Sequence, residues 1–270
     1  MAFQYDLSEY VASTWTLYHR DVADALDICR AHGFDQVEIW ADLVHLDPRV
    51  GPDVDRIAAH LNNNAQTVHS IHLPILHTFP HPSDERQFFA YRFSLHKQCL
   101  DWAERLKCSI AVLHAFDPRY YPYTLEQLDL LRERIDLVVR YAAERGIRIA
   151  IENLPYKPQG DQLVTTLADQ RNYFEGLDVW YCLDIGHVPL LGLHSCEQEI
   201  DATADRLLTF HVHNNYGQVD DHNLPNDGLL DWPAIHAHAR SAGYKGCFVL
   251  EVNERGDGEV VLEHCRNLCR

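Results

Sequence analysis

The segment Val179-Trp180-Tyr181-Cys182-Leu183-Asp184-Ile185-Gly186-His187 carries the pattern on which the fold prediction depends. Its first half is an apolar run of strand length, with Gly176 before it and Gly186 after it. The run ends on the carboxylate of Asp184, and the imidazole of His187 follows three residues later. An acidic residue at the end of a buried strand lies where the backbone leaves the core, beside any cavity at that end. For this segment alone, an aspartate that caps a following helix explains the pattern equally well.

Strand-like and helix-like segments alternate along the chain, without a linker, a short repeat or a change in composition. The predicted strands are residues 10–14, 36–40, 67–73, 109–114, 148–153, the opening segment, 207–214 and 246–252. The predicted helices are residues 21–32, 52–62, 84–106, 124–145, 165–174, 196–206, 232–242 and 259–268. Eight strand–helix units predict an α/β fold, a (β/α)8 TIM barrel that forms a single domain over residues 1–270. A doubly wound open sheet would usually carry a glycine-rich phosphate turn after its first strand, and none is present.

The composition fits a globular protein of this size. The 270 residues are 46% hydrophobic and 10% aromatic, which is enough to fill the core of such a barrel. No apolar run approaches the ~18 residues that cross a bilayer, and the first residues lack the features of a secretory signal. The eight cysteines show no paired spacing and indicate free thiols in a reducing compartment. We therefore expect a cytoplasmic protein with no membrane segment, and a homo-oligomer is compatible with this composition.

The charge balance argues against a nucleic-acid partner. Acidic side chains number 40 against 23 basic ones, which gives a formal net charge of −17. A protein that holds a duplex by its phosphates needs a basic face. Histidine is unusually frequent, with 18 copies, and several of them cluster at the ends of predicted strands.

Titratable side chains end six consecutive predicted strands. From the third strand to the eighth they are His72, His114, Glu152, Asp184, His213 and Glu251. In a barrel the C-terminal strand ends open onto one mouth, where the active sites of this fold lie. Crowded carboxylates repel one another, and burial disfavours their charged form. A bound divalent cation offsets both the repulsion and the cost of burial. The predicted metal ligands are Glu152, Asp184, His213 and Glu251. This carboxylate-rich set suits Mn²⁺, Mg²⁺, Co²⁺ or Zn²⁺ and does not select among them.

Three further residues have two interpretations each. His211 lies two positions before His213, so alternation places it inward one layer deeper, as a supporting or core histidine rather than a ligand. Glu38, on the second strand, either contacts a substrate or forms an ion pair in the barrel floor. Trp40 either stacks on the apolar face of a sugar at the mouth or packs in the core.

From the third strand to the eighth, the chain resembles the xylose isomerase-like superfamily of TIM barrels. The matching pieces are Ile151-Glu152-Asn153, Cys182-Leu183-Asp184-Ile185-Gly186-His187, His211-Val212-His213-Asn214-Asn215, Asp220-Asp221-His222-Asn223-Leu224-Pro225 and Leu250-Glu251-Val252. That superfamily holds sugar and sugar-phosphate isomerases and epimerases, and also the endonuclease IV-type enzymes. The order and separation of the pieces are specific for the superfamily and much less so for a substrate.

The resemblance to the family's ketose epimerases implies a metal-dependent isomerase or epimerase of carbohydrate metabolism. In those enzymes the residues that match Glu152 and Glu251 bind the metal and act as an acid/base pair. One removes the proton next to a carbonyl, and the other returns it from the opposite face of the metal-stabilised enediolate. The implied substrate-binding residues are His187, His72, His114, His222 and Trp40. Pro158 and Val219 stand where the ketose 3-epimerases carry a substrate-binding Glu and Arg, so the sugar stays open.

The same pieces also resemble the endonuclease IV-type phosphodiesterases, which use three zinc ions to activate water. This alternative implies additional metal ligands at His72, His114, His187, Asp220 and His222. The charge argues against it, and residues 73–80 differ from the DNA-intruding loop of those enzymes. Residues 226–232 are closer to the sugar isomerase version of the seventh loop. A sugar dehydratase, which begins with the same proton abstraction, is a third possibility. We therefore predict a small sugar or polyol-type substrate.

Overall fold

Eight parallel strands form a closed barrel in chain order, in which β1 pairs with both β2 and β8. The computed structural model describes residues 6–42, 45–75, 85–116, 124–155, 166–192 and 195–268. The strands are β1 (Tyr10–Ser13), β2 (Gln36–Trp40), β3 (Thr67–His72), β4 (Ile110–Leu113), β5 (Arg148–Glu152), β6 (Trp180–Asp184), β7 (Leu207–Val212) and β8 (Phe248–Leu250). The predicted (β/α)8 TIM barrel is confirmed.

Helices follow the strands and cover the outside of the barrel. They are α1 (Val22–Ala31), α2 (Val54–Asn63), α3 (Glu85–Arg105), α4 (Leu125–Ala143), α5 (Leu167–Tyr173), α6 (His187–Leu191), α7 (Cys196–Thr203), α8 (Trp232–Ser241) and α9 (Gly258–Leu268). Side chains cap several of their N-termini: Thr124 and Gln127 form a capping box at α4, and Ser195 and Gln198 form one at α7. Each predicted helix is present, with ends that differ by at most three residues.

Alternation along the strands divides the core into two layers. A large apolar cluster, which includes Ile39, Leu183 and Phe210, fills the space between the barrel and the helices. A smaller cluster on the opposite strand faces fills the barrel itself, and its fully buried members are Ile110, Val112, Ala150, Cys182 and Leu208. The inner layer is mostly small or apolar, so the polar side chains collect above it, at the C-terminal end of the barrel.

Register shifts interrupt two of the strand pairs. Between β2 and β3 the pairing moves from Val37–Val68 to Glu38–Ser70, and between β6 and β7 it moves from Tyr181–Leu207 to Cys182–Thr209. One residue is left over each time, as in a β-bulge, which is common beside functional sites. Beyond the second shift, Asp184 lies level with His211.

Within the described ranges, no helix is both long and apolar enough to cross a membrane. The seven cysteines described there are free thiols, as the spacing predicts. Cys269, Pro158 and residues 76–80 of the loop after β3 lie outside the described residues, so the expectations that concern them stay predictions.

Candidate metal centre

The titratable residues of the strand ends converge at the C-terminal end of the barrel. Among the described residues there are three groups, two of which overlap, and within each group the N and O donor atoms lie within 4.8 Å of one another. We call the first group, Glu152, Asp184, His211 and Glu251, the central site. We call the second group, His187, His213, Asp220 and His222, the histidine site. The third group adds His72 to Glu152 and His211.

In the central site, one imidazole faces three carboxylates. Nδ1 of His211 lies 3.3 Å from Oε2 of Glu152, 3.2 Å from Oε2 of Glu251 and 3.9 Å from Oδ2 of Asp184. All four residues are buried. The sequence predicted His213 as the imidazole of this set, but the register of β6 and β7 places His211 level with Asp184. His211, predicted as a supporting histidine, is therefore the imidazole at ligand distance here.

The same oxygen of Glu152 also faces two other imidazoles. Its Oε2 lies 3.3 Å from Nε2 of His72 and 3.0 Å from Nε2 of His114. Yet Oε2 of Glu152, Nε2 of His114 and Nδ1 of His211 make no hydrogen bond of acceptable geometry with the described part of the chain. Buried polar atoms normally have a partner, and these are nitrogen and oxygen donors of the types that bind divalent cations. The residues present therefore fit a divalent metal ion.

The histidine site lies beside the central site and contacts it through Asp184. Oδ2 of Asp220 lies 3.1 Å from Nε2 of His187 and 3.3 Å from Nε2 of His222. Nε2 of His213 lies 2.9 Å from Oδ1 of Asp184. The rings of His213 and His222 stack, with centroids 3.8 Å apart. Asp184 thus faces His211 on one side and His213 on the other, and it links the two sites.

Backbone carbonyls fix the ring orientation of three histidines. His72, His187 and His222 each place Nδ1 at hydrogen-bond distance from a carbonyl oxygen, which only an Nδ1–H can donate to. The acceptors are Leu73, Asn153 and Glu251, at 2.8, 2.8 and 2.9 Å. This arrangement leaves Nε2 of each ring directed at the carboxylates, and such a fixed tautomer is typical of histidines that bind metals.

Asp184 has two structural roles at once. Its Oδ1 accepts a hydrogen bond from the backbone N–H of His187, the first residue of α6, at 3.0 Å. Its own backbone N–H and carbonyl are held by the side-chain amide of Asn153, both at 2.8 Å. The N-cap of α6 is Gly186, so Asp184 contacts the start of the helix without capping it, and its other oxygen, Oδ2, faces Nδ1 of His211.

The charges of the two sites stabilise one another. Burial raises the pKa of the acids, but the facing imidazoles outweigh it and hold the pKa of Glu152, Asp184 and Glu251 below the usual range. Burial lowers the pKa of the imidazoles, but the carboxylates outweigh it and raise the pKa of His187 to about 10 and of His222 to about 9. Without a cation, protons on the imidazoles neutralise the carboxylates.

A comparison with known families agrees with this geometry. Residues 26–268 match the model of the xylose isomerase-like TIM barrel family. The chain belongs to this family. A curated relative, an uncharacterized protein y4fM from Sinorhizobium fredii, is 26% identical over 250 residues, which cover 84% of this chain and 80% of the relative.

Solved structures show the same fold. A D-tagatose 3-epimerase-like protein superimposes with a TM-score of 0.78 at 17% identity and covers 95% of this chain and 94% of its own. The structure of the IOLI protein with a bound zinc atom superimposes with a TM-score of 0.71 at 15% identity, and it covers 96% of this chain and 94% of its own. At these identities the likeness establishes the fold of this xylose isomerase-like barrel.

Aromatic rings border the histidine site of this xylose isomerase-like barrel. Trp40, predicted at the mouth, is 8% exposed, and its ring lies edge-on to that of Trp15, 6.4 Å away. The ring of Trp15 lies 4.6 Å from that of His222. Trp15 is half-buried in a short 3-10 helix after β1 and was not predicted as a site residue. Val219, the other departure from the ketose 3-epimerases, is 63% exposed.

Gly186 is required by the close approach of His213. Its backbone is helical, with φ −69 and ψ −25, so its conformation does not demand glycine. A Cβ atom there would lie 2.0 Å from Cε1 and 2.3 Å from Nδ1 of His213. We expect Gly186→Ala to lower the free energy of unfolding by about 1–3 kcal/mol, measured by denaturant melts, because the imidazole must move.

The control is the same substitution in a His213→Ala background, which removes the three atoms nearest to the added methyl group. There the steric cost should disappear. An equal loss in both backgrounds would show that the clash with His213 is not its cause.

Proposed function

We propose that this chain is a metal-dependent isomerase or epimerase of a sugar or sugar phosphate, which acts by proton transfer next to a carbonyl. The observation that carries the proposal is the convergence of Glu152 and Glu251 on Nδ1 of His211, at 3.3 and 3.2 Å. Two carboxylates from strands on different sides of the barrel can then face one substrate carbon. The name of the structural neighbour, a D-tagatose 3-epimerase-like protein, supports the same class of reaction.

The central site is the proposed metal site. The residues that would hold the ion there are Glu152, Asp184, His211 and Glu251. The donor set suits Mn²⁺, Zn²⁺, Co²⁺ or Mg²⁺, and the zinc atom in the IOLI structure supports a divalent ion. Such an ion polarises a carbonyl and stabilises negative charge that develops beside it. His213, which the sequence predicted in this set, is proposed instead for the histidine site.

The protein residues supply the proton transfer. Because its pKa is held low, the Glu152 carboxylate is ionised at neutral pH and can accept a proton from the carbon next to a carbonyl. In the second step Glu251, which also faces Nδ1 of His211, must carry a proton, and it would return this proton to the opposite face of the enediolate. Burial of the central site shields the enediolate from bulk water, and the carboxyl groups exchange their protons with solvent between turnovers. We assign substrate-oxygen contacts to His187, His72, His114 and His222, and stacking to Trp40.

The reaction is tested by running candidate ketoses and their phosphates in D₂O. We expect one deuterium to enter the carbon next to the carbonyl of each product that forms. Product analysis separates the lyase alternative, because a dehydratase loses water from the same intermediate and yields a deoxy product. Turnover of a sugar without any exchange would contradict proton transfer through a solvent-exchangeable carboxylate.

The buried, free thiols of the described chain support a reducing, cytoplasmic location for this activity. A small-molecule substrate fits a site whose ligands lie below the barrel rim. Self-association into a homo-oligomer stays a prediction of the sequence.

One observation favours the phosphodiesterase alternative. The histidine site and the pair His72 and His114 lie on either side of the central site, so the donors could serve more than one ion. Metal analysis of the purified protein, combined with an assay on duplex DNA that contains an abasic site, separates the two functions. One ion per chain and no cleavage support the isomerase. Three zinc ions per chain with strand cleavage would replace it with a phosphodiesterase, despite a net charge of −17.

A further inference from the structure

We propose that Glu38 is a positioning residue that selects the metal-facing nitrogen of His211, an inference that rests on the proposed metal site. Glu38 lies on β2 and is fully buried inside the barrel. Its Oε2 lies 3.2 Å from Nε2 of His211, on β7. The two strands are not neighbours in the barrel, so this contact crosses the interior beneath the central site.

The Glu38 carboxylate is held in place by adjacent strands. Its Oε1 accepts a hydrogen bond from the hydroxyl of Ser13 on β1, at 3.3 Å, and its Oε2 accepts one from Ser70 on β3, at 2.7 Å. The three side chains therefore form a fixed acceptor beneath His211. The sequence left open whether Glu38 contacts substrate or pairs in the barrel floor, and the structure places it in the floor.

The contact dictates the tautomer of His211. An ionised carboxylate only accepts hydrogen bonds, so Nε2 of His211 must carry the hydrogen. When a cation takes the place of the second proton, the lone pair is therefore on Nδ1, the nitrogen that faces Glu152 and Glu251. In His72, His187 and His222 it is Nδ1 that keeps its hydrogen, because it donates to a backbone carbonyl, so in the neutral ring the lone pair is on Nε2. His211 has the reverse tautomer and a charged acceptor.

A carboxylate partner changes the electron density of the imidazole more than a carbonyl partner does. The negative charge attracts the hydrogen on Nε2 of His211 and makes Nδ1 a stronger electron donor toward a cation. It also fixes the rotation of the ring about its side-chain torsions. Both effects favour binding of a divalent ion at Nδ1 of His211. They would also explain why the barrel floor buries an acid at a position where an apolar residue would pack.

The test is a titration of the metal-free parent protein and of the Glu38→Gln variant with Co²⁺. Binding is measured by calorimetry and by the visible absorption of the bound ion. We expect the variant to bind Co²⁺ about 10–100-fold more weakly, with an altered absorption band, because the amide keeps the shape and loses the charge. Glu199→Gln is the matched control. Glu199 is also buried, and its Oε2 accepts the backbone N–H groups of Leu167 and Ala168, at 2.8 and 3.2 Å, at the start of α5.

The control variant should bind Co²⁺ within about twofold of the parent, since it loses a buried charge elsewhere. Equal affinities for Glu38→Gln and Glu199→Gln would overturn the positioning role and leave the metal site intact. A parent protein that binds no Co²⁺ would instead overturn the proposed function, and the role of Glu38 with it.

A second measurement uses only the parent protein. In the zinc-loaded parent labelled with ¹⁵N-histidine, we expect the His211 ring to be bound through Nδ1 and to keep a strongly downfield Nε2–H proton. The His187 and His222 rings should instead keep a hydrogen on Nδ1. An Nε2-bound His211, or one without the Nε2–H signal, would overturn the inference even if Glu38→Gln fails to fold.

Discussion

Glu152→Gln is expected to lower kcat/KM by at least about a thousandfold while the barrel stays folded. Glu152 belongs both to the central site and to the group with His72, so one substitution removes a proposed ligand and a proposed base. General-base catalysis alone contributes about 10²–10⁴-fold, and the lost ligand adds to it. The amide has nearly the shape of the carboxylate but cannot accept the substrate proton. The measurement is steady-state turnover beside thermal melting and metal affinity.

We expect Glu152→Gln to fold because the neighbouring imidazoles can change their charge. Burial lowers the pKa of His72 and His211, but the carboxylates around them outweigh it and raise the pKa, so both imidazoles can release their protons once the Glu152 carboxylate is gone. Glu199→Gln serves as the control for burial of an amide, since Glu199 lies at the start of α5, outside the proposed sites. Turnover of Glu152→Gln close to that of this control would remove Glu152 from the mechanism.

The fold could be predicted because each unit carries its own local signals. The strand at residues 36–40 was predicted with the bounds that β2 has, Gln36–Trp40. Helix ends coincide with capping residues, such as Thr124 before α4, that a sequence displays directly. The convergence of strand-end acids and imidazoles follows from the barrel itself, since all C-terminal strand ends meet at one mouth.

The partition of ligands between sites could not be predicted. Alternation correctly places His211 and His213 on the same inward face, but the layer that each occupies depends on the pairing of β6 with β7. The extra residue at Leu208 sets that register and brings His211 level with Asp184. A shift of this kind is set by packing around the whole barrel and leaves no local mark in the sequence.

Two other features of the site depend on long-range contacts. The tautomer of His187 is set by the carbonyl of Asn153, which lies 34 residues away in the chain. Trp15 reaches His222 from a 3-10 turn at the opposite end of the sequence. Its only signal in the sequence is its position just after the predicted first strand. Contacts between side chains across the barrel mouth cannot be predicted from the sequence of one segment alone.

Binding of a divalent cation is expected to release protons and to strengthen as pH rises. In the metal-free protein the pKa of His187 is about 10 and that of His222 about 9, both above the ordinary 6.5 of an unfolded chain. A raised pKa contributes stability that is complete below about pH 6.5 and is lost as pH rises through the folded value. The melting temperature of the metal-free protein should therefore fall between about pH 6.5 and 10.

If a second cation occupies the histidine site, as the phosphodiesterase alternative requires, it takes the place of the protons and changes that dependence. At pH 7.5 each of the two imidazoles must give up one proton to bind, so we expect about two protons released per ion at this site. Calorimetry in buffers of different ionisation enthalpy counts them, and His187→Gln should release about one fewer. The difference in melting temperature between loaded and chelated protein should widen from pH 6.5 to 9. A difference that stays constant over this range would mean that the ion does not displace protons from these imidazoles. The histidine site would then stabilise the fold and bind no metal ion.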